Sequence, residues 1–351
     1  MRILRWLSCA ALLGCAPPAE PAFDVAAWVP DSLHAPHGSV ATGFSNPWAA
    51  DPKSVWGVLR WWLFSRNPYD KSAAQGAPRV PNDGSGLARP EHSSSLTWVG
   101  HSTFVIHDAA DVVLTDPHWG PRALIPERLV PPGVPIEAVP ADAMAVVSHN
   151  HYDHLDAWTV EHLPATVSWF VPKGLADWFR ARGRERVVEL DWWETARQGR
   201  WQITCLPSQH WSRRVEQGAN RSLWCAWLLD SGDATYFFAG DTGYFHGFRE
   251  YGRRFAIDVA MLPIGAYEPR WFMKYQHMDP AEAYQAFLDL RARHMAAMHW
   301  GTFDLTDEPP DLPPRVLREV VQQRGGDPEA VRIFAIGERW RVPPRPAVAA
   351  E

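Results

Sequence analysis

From residue 94 onward, short apolar runs alternate with turn-forming residues, the pattern of strands broken by tight connections. SLTWVGHSTFVIH (95–107) and DVVLTDP (111–117) read as paired strands, and AMAVVSH (143–149) as a further strand. WTVEHL (158–163) and GLADWFRARG (174–183) read as helices, and WFVP, RVVELDWW and RWQITCLPSQHW as strands. SLWCAWLLD and ATYFFAGD pair around an SGD turn, and DVAMLPIG follows them. DPAEAYQAFLDLRAR (279–293) is a helix opened by an Asp cap and a first-turn proline. HMAAMHW is another strand, PPRVLREVVQQRGG (313–326) a last helix, and VRIFAIGERWRV (331–342) a single closing strand. Strand-rich halves with interspersed helices predict sheets covered by helices in one domain, with no close internal repeat.

The polar residues that matter stand at the ends of these runs. After Val146-Val147 come His149, His151, Asp153 and His154; His210 follows WQITCLPSQ, Asp241 follows ATYFFAG, and His299 follows HMAAM. Such a cluster behind a buried strand has four readings: a surface loop, a satisfied polar cluster, a metal site or an acid–base pair. A single His-x-His is weak. Five histidines and two carboxylates at strand ends, which converge along a sheet edge, favour metal binding. Imidazole and carboxylate suit zinc. His149 and His151 can grip one ion, Asp153 and His154 a second, with His210 and His299 completing the spheres and Asp241 bridging. Two such ions can share a hydroxide for attack on a phosphoryl or acyl centre. A serine-hydrolase reading would use Ser148 or Ser208, but no Gly-x-Ser-x-Gly elbow accompanies either.

Composition narrows the class. Hydrophobic residues make up 46% and charged residues 21%, with 32 prolines and 24 glycines, so the chain is globular and loop-rich. The 20 tryptophans fit bulky core packing or apolar–wet boundaries. MRILRWLSCAALLGC carries Arg2, Arg5 and an apolar stretch, a secretory signal too short to span a membrane. Leu12-Leu13-Gly14-Cys15 is similar to a bacterial lipobox, which predicts cleavage before Cys15 and its lipidation. With Ala16 following, the expected place is the outer membrane, facing the periplasm. Losing two arginines takes the formal charge from −6 to −8, which gives no pull toward nucleic acid or anionic lipid. Residues 16–45 read as a tether and 46–92 as a strap, in which Trp56, Leu59, Trp62 and Leu63 recur at helical spacing. Residues 93–342 read as the main domain, which carries the histidine and aspartate cluster, and 343–351 as a tail. Cys205 and Cys225 lie on predicted strands and fit either a bridge or two buried thiols.

SHNHYDHLD (148–156), FAGDTGY (238–244) and His299 resemble the metallo-β-lactamase superfamily. TWVGHSTFVI, LTDP, WFVPKGLADW, ELDWWE, PSQHW, IGAYEPRWFMKYQHMDPAEA and MHWGTF resemble, in order, the N-acylphosphatidylethanolamine-hydrolysing phospholipase D family. The likeness runs from about Phe44 to about Arg341. It implies an α/β fold, the αβ/βα four-layer sandwich, as a single domain. It implies two zinc ions, one held by His149, His151 and His210, the other by Asp153, His154 and His299, with Asp241 bridging. It implies hydrolysis of a phospholipid to phosphatidic acid and an N-acylethanolamine, with Tyr152 and His277 at the substrate and Arg214 near the cleft mouth. Tyr152 fits a donor to phosphate or a ring packed beside the metals, and His277 a substrate contact or a helix-entry hydrogen bond. His101 and Asp116 are expected to orient other groups rather than react. Family members form dimers, so a homodimer is expected. The alternatives are a lactonase, esterase or amidase on the same site, or a lipid-binding lipoprotein without activity.

Overall fold

The computed structural model describes residues 30–50, 60–61, 66–88 and 93–345. A small hairpin, β1 (Gly38–Ser39) and β2 (Gly43–Phe44), precedes the sheets. The first sheet is built from β3 (Ser95–Gly100), β4 (Thr103–Asp108), β5 (Asp111–Thr115), β6 (Met144–Val146), β7 (Ser168–Pro172) and β8 (Val187–Leu190). The second takes β9 (Thr195–Gln198) and β10 (Trp201–Leu206). After a protruding hairpin, β11 (Arg213–Arg214) and β12 (Gly218–Ala219), it gains β13 (Ala226–Asp230), β14 (Thr235–Phe238), β15 (Val259–Pro263), β16 (His294–Met298) and β17 (Val331–Arg332). The last strand, β18 (Arg339–Arg341), returns to the first sheet.

Both sheets have seven strands, in the orders β18-β3-β4-β5-β6-β7-β8 and β17-β16-β15-β14-β13-β10-β9. In each, three antiparallel pairings give way to three parallel ones, at β5–β6 in the first and at β14–β15 in the second. The sequence, which shows no repeat, thus builds the same pairing plan twice. Helices α1 (Ala157–His162) and α2 (Ala176–Arg180) follow strands of the first sheet. Helices α3 (Gly247–Arg254), α4 (Arg270–Met273), α5 (Pro280–Leu290) and α6 (Pro313–Gln323) follow strands of the second.

Side-chain alternation explains the layering. In β4, Phe104 and Ile106 enter the core between the sheets, while Val105 joins Val99, Trp169 and Phe179 beneath the outer helices. Both faces are buried, so these strands read as continuous apolar runs. Trp98, Trp169, Trp201, Trp224 and Trp227 are fully buried, which assigns these tryptophans to core packing. Three of them also tie down carbonyls at strand ends: Trp98 Nε1 donates to His101 (2.9 Å), Trp227 Nε1 to Val147 (3.0 Å) and Trp224 Nε1 to Ser208 (3.0 Å).

The closing strand differs from expectation. VRIFAIGERWRV is not one strand but two, β17 in the second sheet and β18 in the first, so this stretch crosses between the sheets. Gly337 makes the turn at φ 89, where a Cβ would lie 2.4 Å from the Val80 carbonyl. Residues 30–45, expected as tether, already pack on the domain from Pro30, with Leu33 and Phe44 buried. Cys205 and Cys225 are free, buried thiols. Cys15 and the proposed strap helix around Trp56, Leu59, Trp62 and Leu63 lie outside the described residues.

Candidate metal centre

The site gathers where pairing switches from antiparallel to parallel. Asp116 follows β5, the His149–His154 segment follows β6, Asp241 follows β14 and His299 follows β16. His210 arrives from the end of β10, and His101 from the β3–β4 turn. The backbone is bent to aim these side chains: His101, Asp116 and His299 take φ of 53, 33 and 63, conformations that cost non-glycine residues on the order of 1 kcal/mol each. Hydrogen bonds hold the bends, His299 N to the His101 carbonyl (3.0 Å) and His101 N to Thr302 Oγ1 (2.7 Å). Gly240 lets β14 pass close behind the histidines; a Cβ there would sit 2.5 Å from Ser148 Cβ.

Seven predicted ligands converge as two donor sets. In the first, His149 Nε2 lies 2.8 Å from His151 Nδ1, which lies 3.2 Å from His210 Nε2. Asp241 Oδ2 stands 3.9 Å from His149 Nε2 and 3.8 Å from His210 Nε2. Four donors about 2 Å from a zinc ion would be separated by roughly 3.3 Å, and these edges scatter around that figure. In the second set, Asp153 Oδ2 lies 3.4 Å from both His154 Nε2 and His299 Nε2. Asp241 closes this set too, with Oδ2 3.1 Å from His154 Nε2 and Oδ1 3.0 Å from His299 Nε2. Asp241 is therefore the carboxylate common to both.

These residues fit cations better than they fit one another. Three ring nitrogens pointing at a common centre cannot all be satisfied by the protons that neutral imidazoles carry. His154 Nε2, His299 Nε2 and Asp241 Oδ1 are buried without a hydrogen bond, a costly arrangement unless an ion binds them. Burial, with neighbouring imidazoles, holds His149 and His210 well below the ordinary histidine range, leaving neutral rings with lone pairs to donate. Burial acts the same way on His299, but the Asp241 and Asp153 carboxylates overcome it and push that ring up to about 9.

A supporting layer fixes the ligands. Asp116, fully buried, accepts from His154 Nδ1 (2.6 Å), Ser148 Oγ (2.6 Å) and Ser148 N (2.6 Å). Ser148 Oγ also lies 2.9 Å from His149 Nδ1, so this hydroxyl is spent on orientation rather than free as a nucleophile. His210 Nδ1 bonds the Gln276 carbonyl (3.1 Å), and His101 Nε2 reaches Asp153 Oδ2 (3.0 Å). One support escaped the sequence reading. Asn46 donates from Nδ2 to the His210 carbonyl (2.9 Å), with Oδ1 accepting from Trp224 Nε1 (2.9 Å).

The donors lie at the floor of a cavity of about 470 Å³. Its walls include Trp61, Trp211, Phe272, Met273 and Leu305, none singled out from sequence. Tyr152 lines it, but its hydroxyl accepts from Val215 N (3.2 Å). His277 is brought in ahead of α5, whose Asp279–Glu282 capping box sets the entry; its Nδ1 is 3.9 Å from Asp241 Oδ2. Arg214 also borders the cavity, yet its guanidinium is buried against the Tyr152 ring (4.3 Å). Its Nη1 donates to the Leu155 carbonyl (2.7 Å) and its Nε to Glu216 (2.9 Å), which fixes the ligand loop from behind.

The Beta-lactamase superfamily domain matches residues 112–300. The chain is 36% identical over 287 residues to N-acyl-phosphatidylethanolamine-hydrolyzing phospholipase D 1 of Caenorhabditis elegans, covering 76% of this chain and 81% of that protein. It is also 36% identical, over 66% of its length, to the mitochondrial N-acyl-phosphatidylethanolamine-hydrolyzing phospholipase D of Saccharomyces cerevisiae, of which it covers 52%. Among solved structures, a metallo hydrolase of the archaeon Ignicoccus hospitalis superposes with a TM-score of 0.55 at 23% identity, over 71% of this chain and 97% of the other.

Proposed function

The chain belongs to the metallo-β-lactamase superfamily, as a metal-dependent hydrolase related to the N-acylphosphatidylethanolamine-hydrolysing phospholipases D, and from that premise we propose that it is a two-zinc phosphodiesterase of membrane phospholipid. Its substrate on this reading is N-acylphosphatidylethanolamine, split into phosphatidic acid and an N-acylethanolamine. The observation that carries the reading is a two-set donor floor beneath an apolar-walled cavity. Phosphate and lipid chain each find their chemistry there. When bound, two zinc ions would lower the pKa of a shared water toward 7 and screen the phosphoryl oxygens.

The chain's own residues supply the rest. His149, His151 and His210 would hold one ion, Asp153, His154 and His299 the other, and Asp241, whose two oxygens face different rings, would join them. On this reading His277, 3.9 Å from Asp241, would be the side chain that gives a proton to the leaving oxygen. Tyr152 would form a wall beside the phosphate, with Arg214 keeping that ring and the ligand loop in place. The reading also includes cleavage before Cys15 and lipidation there, which would anchor the enzyme in the outer membrane beside its substrate. Labelled fatty acid should then appear on the wild type and vanish from Cys15→Ala; label on both would reject the anchor.

The central test uses the full chain loaded with zinc and N-acylphosphatidylethanolamine in detergent. Phosphatidic acid and N-acylethanolamine should both form, and Asp241→Asn should lower the rate more than about hundredfold. A zinc-loaded wild type that makes neither product, or that turns over lactones faster, would reject the phospholipase reading.

A further inference from the structure

The second sheet ends on β17, which among the described residues has a neighbour on one side only, β16. Along its free side lies a cavity of about 670 Å³, larger than the one over the donors and sharing no lining residue with it. Side-chain alternation puts Val331 and Ile333 on one face of the strand and Arg332 on the other. All three line the cavity, so it straddles the edge of the strand rather than covering a face. The opposite wall is helix α6, which presents Arg318, Val321 and Gln322, the i, i+3 and i+4 positions of one stripe. The turn that joins helix to strand closes one end. A helix stripe thus faces a bare strand edge across open space, and the backbone groups on that edge have no partner strand.

The chemistry of this groove is one-sided. Among the described residues two guanidiniums line it and no carboxylate does, in a chain whose formal charge is −6. Arg332 is steadied by Glu338, 3.4 Å away, and by the Trp340 ring beneath it at 5.6 Å. Arg318 is exposed and has no ion-pair partner among the described residues. An extended peptide answers each feature at once: its backbone pairs with the free edge, its apolar side chains meet Val321, Val331 and Ile333, and its acidic ones meet the guanidiniums. We infer that the groove between α6 and β17 binds an extended, acidic segment of a partner protein by strand addition. The edge from Val331 to Ile333 runs about 10 Å, room for three residues of the incoming strand. A small carboxylate would use the arginines and leave the edge unpaired. A second copy of the chain would crowd four guanidiniums together. The chain's own end leads elsewhere. The Pro343 and Pro344 carbonyls accept from Arg293 at the head of β16, and Arg345 donates to Asp258 at the head of β15, so the last described residues run away from β17.

The test uses the full chain and labelled hexapeptides read by fluorescence anisotropy. One alternates valine with glutamate, and a second has lysine in place of glutamate. Two more repeat the glutamate peptide with alternate backbone amides N-methylated, one for each set, which keeps the charge and blocks pairing. The glutamate peptide should bind, and the lysine peptide more than about tenfold more weakly. At least one N-methylated form should lose more than about tenfold, since strand addition draws affinity from main-chain hydrogen bonds. Arg318→Glu should also weaken binding more than about tenfold, with an unchanged melting temperature because the residue is exposed. Independently of any variant, hydrogen exchange of the 331–333 amides should slow at least about tenfold when the glutamate peptide saturates the wild type. Failure of the glutamate peptide to bind, or equal binding of the lysine peptide, overturns the inference. N-methylated forms that both bind like their parent would leave only an ionic patch, and unlabelled glutarate displacing the peptide at matching concentration would make this a small-anion pocket; either result overturns it. So does a particle mass that doubles without peptide and reverts in Arg318→Glu, which would assign the edge to self-association.

Discussion

Asp116 offers a cation nothing directly, yet His154 and both polar groups of Ser148 are aimed by it. All three partners donate, so a carboxylate suits the position and an amide does not. Asp116→Asn should weaken metal affinity by roughly 10–100-fold, read by competition with a chromogenic chelator, while circular dichroism stays unchanged. Unchanged affinity would mean that the donors hold their positions without it. From sequence this residue was reached only through the LTDP motif of the family resemblance, as a group that orients others. Asn46 was not. Its bond to the His210 carbonyl joins residues 164 apart, and no periodicity announces such a contact.

At the scale of elements, the N-terminal segment is fastened to the domain by buried Leu33 and Phe44 and, beside them, by charge. His37 Nε2 and Lys173 Nζ lie 2.7 and 2.6 Å from the two oxygens of Asp191. Burial would raise that carboxyl, but these two bonds hold it well below the ordinary carboxylate range. A depressed carboxyl stabilises the fold above its unfolded pKa, about 3.9, and the contribution disappears as pH falls through its lower folded value. Asp191→Asn should therefore cost on the order of 1–2 kcal/mol at neutral pH, with the gap to wild type closing in acid. A gap independent of pH, in urea melts from pH 7 down to about 3, would reject this linkage. Elements were legible where apolar runs were dense. Helix α3 was not, because Phe248 and Tyr251 are the only large apolar residues in a charged segment. Nor was the split of the closing segment, whose apolar residues continue through the crossing between sheets.

For the whole molecule, the donors come from both sheets: Asp153 and His154 after β6, His210, Asp241 and His299 after strands of the second sheet. Bound cations would therefore clamp one half of the sandwich to the other. Stripping metal with a chelator should lower stability by about 3 kcal/mol relative to a hundredfold excess of zinc over its Kd, and re-addition should restore the melting temperature. A melting temperature indifferent to chelation would deny the clamp. The duplicated pairing plan behind this clamp was invisible in sequence, since backbone register repeats without any repeat of side chains. The return of β18 to the first sheet has a bearing on biogenesis. Its partner β3, buried along its whole length, is made some 240 residues earlier and must wait for it. Until then β3 is a bare, apolar strand edge, the kind that neighbouring nascent chains join. A stop codon that removes only this last strand should therefore cost yield through aggregation before it costs activity.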